Sequence, residues 1–262
     1  MGKLQLIIAL LVAAFSLFSY FGSSTVNPIT GEKQYIGMTP KEEIAMGLQS
    51  APQMAAQMGG ITNDPRARQL VAAVGAKVVA QSVAAKSGYP FKFHVLADPR
   101  TVNAFALPGG QIFITMALLS RLETEGQLAG VLGHEVGHVI ARHSAERIAK
   151  DNLTQGLTGA FAMGSGSMSA TQIAQAVAQF QMMSYGRDDE LESDRLGLQL
   201  MSEAGYDPRA LIRVMQILER AGGGSRVPEW QSSHPIPANR IAQINQTIAK
   251  AFPNGVPPGL TP

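Results

Sequence analysis

The chain has 262 residues, 45% of them hydrophobic, which is enough to bury one sizeable core and falls within the range of a single domain. Its 21 Lys and Arg against 19 Asp and Glu leave a formal charge of +2; with no basic stripe carrying interleaved aromatics, nucleic-acid binding is not expected. The lack of cysteine removes disulfides, zinc ribbons and thiol catalysis together, so any metal must be held by carboxylates and by some of the five histidines.

At the N-terminus, Lys3 precedes the uncharged run LQLIIALLVAAFSLFSYFG, which meets the small residues Gly22, Ser23 and Ser24. Charge, apolar core and small residues in that order predict an export signal over 1–24, or a retained membrane anchor of nearly spanning length. Either places the remaining chain outside the cytoplasm, periplasmic or on the membrane's non-cytoplasmic side. Residues 22 to 37 read as an extended, turn-rich lead-in. Thr39, Pro40 and Glu42 then have the order of N-cap, first helical residue and capping partner for a helix to about Met58. Asn63 or Asp64 with Pro65 opens a second helix, which Gly88 and Pro90 stop.

From Phe91 the apolar period changes to two. FKFHVLAD reads as a strand, and VNAFALPGGQIFIT as two strand-like pieces turned at Pro108, Gly109 and Gly110. Helix formers dominate from Leu118 to Lys150. The Gly-rich stretch GLTGAFAMGSGSMS reads as a flap or surface loop before a second long helical segment that ends in DELESDRLGLQLMSEAG. DPRALIRVMQILERAG and ANRIAQINQTIAKAF are amphipathic helices, and the Pro-rich residues 251–262 are expected to form a flexible tail behind a catalytic domain over 25–250. The elements together predict an α+β fold, mostly helical, with a small antiparallel or mixed sheet beside the helix of residues 118–150.

That helix carries HEVGH. His134 and His138 are four residues apart, so at 3.6 residues per turn both imidazoles share one face and can reach one ion. Glu135 lies about 100° around the helix. It is badly placed as a ligand but well placed to take a proton from a water on the metal. A longer histidine motif would need glycine at position 141 and histidine at 144, where Ala141 and Ser144 stand; His143 lies about 180° from His134 unless the helix breaks. The third ligand is therefore sought in RDDELESD. Glu190 and Asp194 share a helical face, Glu190 as a ligand and Asp194 as acceptor for the outer nitrogen of a ligand imidazole. Two imidazoles, a carboxylate and an open position make a catalytic set, and the donors favour one zinc ion per chain over calcium or magnesium.

Taken together, HEVGHVIARHSAER, Glu190 and Asp194 in DELESDRLG, and SSHPIPANRIAQI resemble the HtpX-like gluzincin metallopeptidases, the zincin-fold family of the CAAX prenyl protease and the Oma-type proteases. The likeness runs from about Gly31 to Ile244 and is nearer to the soluble exported members. It implies His134, His138 and Glu190 as ligands, Glu135 as general base and Asp194 as support. It further implies His234 as a regulatory fourth ligand on a loop over the site, and Arg240 as a catalytic-cleft residue. About 20 residues follow Arg240, so docking through a helical-repeat module is not expected, and neither is a second membrane span.

The implied activity is a metalloendopeptidase acting on unfolded, misfolded or unassembled envelope polypeptides. The alternative is a latent or chaperone-like quality-control factor with little proteolysis. An extended substrate is expected to add as a strand beside VNAFA or QIFIT.

Overall fold

The periodicities seen in the sequence become helices and strands over residues 3–165, 185–221, 230, 234 and 239–262, which the structure, a computed structural model, describes. The chain divides into two units. One holds the described residues of 1–39 and 143–184, the other those of 40–142 and 185–262.

In the first unit, α1 (Lys3–Gly22) is followed by a hairpin of β1 (Ser24–Val26) and β2 (Lys33–Tyr35), paired Ser24 to Tyr35 and Val26 to Lys33. Asn27 closes its turn, its side-chain oxygen accepting from the backbone N–H groups of Ile29 and Thr30. The last described element of the unit is α6 (His143–Ser165), which packs along α1. The expectation of a loop from Gly156 is corrected here, because α6 continues through Gly156 and Gly159 to Ser165. A Cβ at Gly156 would lie 2.1 Å from the Ser16 hydroxyl of α1, so helix contact offsets the roughly 1 kcal/mol propensity cost of a helical glycine. The remainder of that Gly- and Met-rich segment, with the first part of the long helical segment expected after it, lies outside the described residues.

The second unit starts with α2 (Pro40–Gln57) and α3 (Pro65–Ala80). Asp64 caps α3, accepting from the N–H groups of Arg66 and Ala67, and a 3₁₀ turn, Val83–Ser87, follows. Among the described residues its sheet has the order β3 (Lys92–Leu96), β5 (Gln111–Thr115), β4 (Ala104–Leu107), with β3 parallel and β4 antiparallel to β5. Gly109 and Gly110 turn β4 into β5 at φ +77° and +101°, and a Cβ on Gly109 would be 2.4 Å from the Ile44 Cα of α2. QIFIT is the central strand. Both of its edges are already hydrogen bonded, which excludes it as a docking edge and leaves only the outer side of β4.

A short α4 (Met116–Leu119) leads to α5 (Glu125–Ile140), capped by the Thr124 hydroxyl, which accepts from Gln127 N–H. Every residue of α5 from Gly126 to Ile140 is buried, as its apolar circumference requires. The expected continuous helix to Lys150 breaks at Ala141 and Arg142; Arg142 adopts the left-handed region at φ 60°. Its guanidinium is held by Glu43 of α2, which also accepts from the Tyr89 hydroxyl at 3.0 Å.

Among the described residues three further helices follow in this unit: α7 (Arg187–Glu203), α8 (Ala210–Ala221) and α9 (Arg240–Ala251). The tail expected to be flexible is tied down at its end. Thr261 N–H donates to Gly205 C=O, Asp207 N–H donates to Thr261 C=O, and Gly126 N–H at the start of α5 donates to Pro262 C=O at 2.8 Å. Backbone hydrogen bonding, which composition does not report, decides that segment.

Candidate metal centre

The centre is built where α7 crosses α5 through small residues. A Cβ on Gly197 would be 2.9 Å from His134 N, and one on Gly137 would be 3.0 Å from Ser193 O, so the backbones approach as side chains would not allow. The Ser193 hydroxyl donates to His134 C=O at 3.1 Å and joins the two helices within the contact. This close crossing brings Glu190, one turn before Ser193, against the HEVGH face of α5.

Donor atoms of His134, His138, Glu190 and His234 all lie within 4.8 Å of one another, and all four residues are buried. His134 Nε2 is 3.0 Å from His138 Nε2, 3.3 Å from His234 Nδ1 and 3.5 Å from Glu190 Oε2. Glu190 Oε1 is 3.3 Å from His138 Nε2 and 2.8 Å from His234 Nδ1. A tetrahedral ion with bonds of about 2.0–2.1 Å separates its ligand atoms by about 3.3 Å, so the set has the span of such a shell. His143, freed by the helix break, is buried but does not belong to this group.

The surroundings suit a cation. His134 Nδ1 faces Asp194 Oδ1 at 2.9 Å, an acceptor that keeps the proton on Nδ1 and leaves the Nε2 lone pair for a metal. Burial would lower the His134 pKa, but hydrogen bonds to Asp194 and Glu190 and their charges lift it to about 9, so the position draws positive charge. Burial would raise Glu190, yet the charge of His234 and hydrogen bonds from the three imidazoles hold it far below the usual carboxylate range. Burial would raise Asp194 as well, but the charges of Arg240 and His134 together with their hydrogen bonds hold it low.

Glu135 stands apart. Both its oxygens are buried with no hydrogen-bond partner among the described residues, and Oε1 is 3.6 Å from His234 Nε2. Burial pushes its carboxyl above the ordinary range against the pull of His234 and His134, giving it a readiness to accept a proton that exposed carboxylates lack.

Arg240, expected at the cleft, is wholly buried behind the ligands. Its Nε and one terminal nitrogen donate to the two oxygens of Asp194 at 2.6 and 2.8 Å, and its other terminal nitrogen is 3.2 Å from Glu190 Oε2. Two aromatic contacts have little signal in the sequence. Tyr185 stacks on His138 with centroids 4.0 Å apart, and Trp230 stacks on His234 at 4.8 Å, with the Arg240 guanidinium over the indole. The single Trp of the chain, four residues before His234, was the available clue; His234 N–H donates to Trp230 C=O at 2.7 Å.

Asp194→Asn is expected to lower metal affinity by about 10–100-fold while the protein stays folded, because the amide no longer matches both His134 Nδ1–H and the Arg240 fork. Competitive titration with a chromophoric chelator measures it. Unchanged affinity would remove Asp194 from the support of His134.

Residues 65–248 match the model of Peptidase family M48. The chain is 29% identical over 261 residues to the beta-barrel assembly-enhancing protease of Escherichia coli K12, a match covering 94% of this chain and 53% of that protein. It is 30% identical over 252 residues to the mitochondrial metalloendopeptidase OMA1 of Bos taurus, covering 89% of this chain and 47% of the relative. With the mitochondrial metalloendopeptidase OMA1 of Schizosaccharomyces pombe it shares 34% identity over 173 residues, 65% of this chain and 50% of that one. The chain thus spans about half the length of the relatives it matches.

Proposed function

This chain belongs to peptidase family M48, and from that premise we propose that it is a zinc-dependent endopeptidase of the cell envelope that cleaves misfolded or unassembled polypeptides. The observation that carries the reading is Glu135, buried with neither carboxylate oxygen hydrogen bonded among the described residues, beside three imidazoles and a carboxylate whose donor atoms lie within 4.8 Å of one another. The names of the relatives, a beta-barrel assembly-enhancing protease and mitochondrial metalloendopeptidases, support a polypeptide substrate and an envelope setting.

His134, His138 and Glu190 would hold the ion, and zinc suits the imidazole-rich donor set. When bound, it supplies Lewis acidity that polarises the scissile carbonyl and makes water acidic near neutral pH. Glu135 accepts the proton of the attacking water and delivers it to the departing amine nitrogen, so the C–N bond breaks with its proton balance closed within one residue. Asp194 holds the His134 tautomer, and Arg240 is a positioning residue that fixes Asp194 and neutralises charge behind Glu190. An extended substrate lies along the outer edge of β4, where Asn103 contributes a buried side-chain oxygen with no hydrogen-bond partner among the described residues. Substitutions at positions 103–106 that block strand pairing should raise KM for unfolded protein more than for a dipeptide, and equal effects on both would sink the edge reading.

His234 gates the site. Its Nδ1 belongs to the ligand group and its Nε2 faces Glu135, so a single side chain engages the fourth position and the base together. That geometry also favours the second reading, a latent quality-control factor. His234→Ala should keep one zinc ion and raise the rate of casein cleavage. A variant that keeps its zinc but cleaves no faster excludes gating; absence of cleavage by both this variant and the zinc-loaded parent favours the latent factor.

A further inference from the structure

The second half of α6 carries no charge. Asp151 is its last charged residue, and residues 152–165, NLTQGLTGAFAMGS, extend about 21 Å at the helical rise. α1 is 20 residues long with no charge after Lys3, about 30 Å, the thickness of a bilayer's hydrocarbon core.

The two helices run antiparallel. Ser16 meets Gly156, while Tyr20, one turn on, shares a crevice with Ala149 and Asn152. The uncharged half of α6 therefore lies beside the apolar body of α1, and the charges of α6 begin where α1 ends. An aromatic cluster marks that level: Tyr20 stacks on Tyr35 at 4.9 Å, Phe21 meets both rings edge-on, and Lys33 sits over Tyr35. Aromatic rings with a nearby cation are the side chains that settle at a membrane interface. The outward face of α1 is exposed, with no partner among the described residues of its unit: Leu4 is 69%, Leu10 62%, Leu11 64%, Phe15 71% and Phe18 79% exposed, far beyond the scattered apolar exposure of a soluble helix.

The small-residue site where an export signal would be cut is built into the fold. Ser23 C=O accepts from Ile36 N–H at 3.1 Å, Ser23 N–H donates to Tyr20 C=O, and Ser24 is in register with Tyr35. Removing α1 there would strip α6 of its partner and cut into β1 at its first residue.

We propose that α1 is retained and that α1 with residues 152–165 of α6 forms a helical hairpin whose partner is the lipid bilayer. α1 spans the hydrocarbon core, the uncharged part of α6 enters beside it, and the Tyr20, Phe21 and Tyr35 cluster sits at the interface. This goes beyond the proteolytic reading and does not depend on it.

The lack of native cysteine allows a direct test on the full chain. Its mass after expression with its N-terminus intact is measured first. Thr158→Cys and Lys150→Cys proteins are then labelled with bimane and reconstituted in vesicles of phosphatidylethanolamine with a minority of phosphatidylglycerol, containing lipid with a nitroxide midway along its acyl chain. The expected result is a membrane-bound chain that keeps residues 1–24, with bimane at 158 quenched severalfold more than at 150. Recovery of a chain lacking α1 overturns the proposal, as does equal quenching at the two positions. Neither readout involves metal or catalysis, so failure of the peptidase reading would leave this result intact, and the reverse.

Discussion

Glu135→Gln is expected to leave the protein folded and loaded with one zinc ion while lowering kcat for casein cleavage by about 10²–10⁴-fold, the usual contribution of a positioned general base. The substitution is nearly isosteric in a fully buried pocket, so packing changes little, and the carboxylate is no donor in the four-residue group. What disappears is the capacity to take a proton and return it. The oxygens of Glu135 lack hydrogen-bond partners among the described residues and its pKa is raised by burial, so the native carboxylate is poised for transfer; an amide is inert at the same place. Zinc content and near-ultraviolet circular dichroism, measured beside the rate, separate loss of chemistry from loss of structure. A rate within a factor of a few of the parent would remove Glu135 from the reaction.

Glu190→Gln is expected to weaken zinc binding by more than about a hundredfold, beyond the range typical for a residue that only supports a ligand. This carboxylate is the anion of the four-residue donor group, and it faces His134, His138, His234 and Arg240. Its loss leaves a dense positive cluster answered mainly by Asp194, so the metal-free protein should lose stability on the order of 3 kcal/mol, the cost of breaking a buried ion pair. Equilibrium denaturation in excess chelator reads the stability, and metal competition reads the affinity. Glu190→Asp, which keeps the charge with a shorter reach, should recover much of the stability and less of the affinity. If Glu190→Gln bound zinc as the parent does, the third ligand would have to be sought elsewhere.

Local chemistry was legible wherever it depends on a short repeat. HEVGH puts two imidazoles on one helical face because the pitch requires it, and the spacing of Glu190 and Asp194 does the same on α7. The change of period at Phe91 marked β3, and Pro108, Gly109 and Gly110 marked the β4–β5 turn. Strand order was another matter. A two-residue period says that QIFIT is a strand but not that it is central, since pairing depends on which chain segments lie on either side. The break of the long helix at Arg142 was also hidden: Arg142 is an ordinary helix former, and its left-handed conformation goes with a buried partner, Glu43, 99 residues away.

The sequence by itself determined the reactive inventory: metal donors limited to histidine and carboxylate, the pairing of His134 with His138 on one helical face, a glutamate beside them off that face, and an apolar helix at the N-terminus. Only the tertiary structure decided how these combine. Glycine contacts at 133, 137 and 197 let α5 and α7 approach until Glu190 joins the imidazoles, and His234 and Arg240, 100 and 106 residues from His134, reach it through contacts that no short spacing encodes. The physical reason is range. Helical pitch and strand pleat act over a few residues and are written in local spacing, whereas the burial of Glu135 and the convergence of four donors depend on packing between segments that no local pattern records.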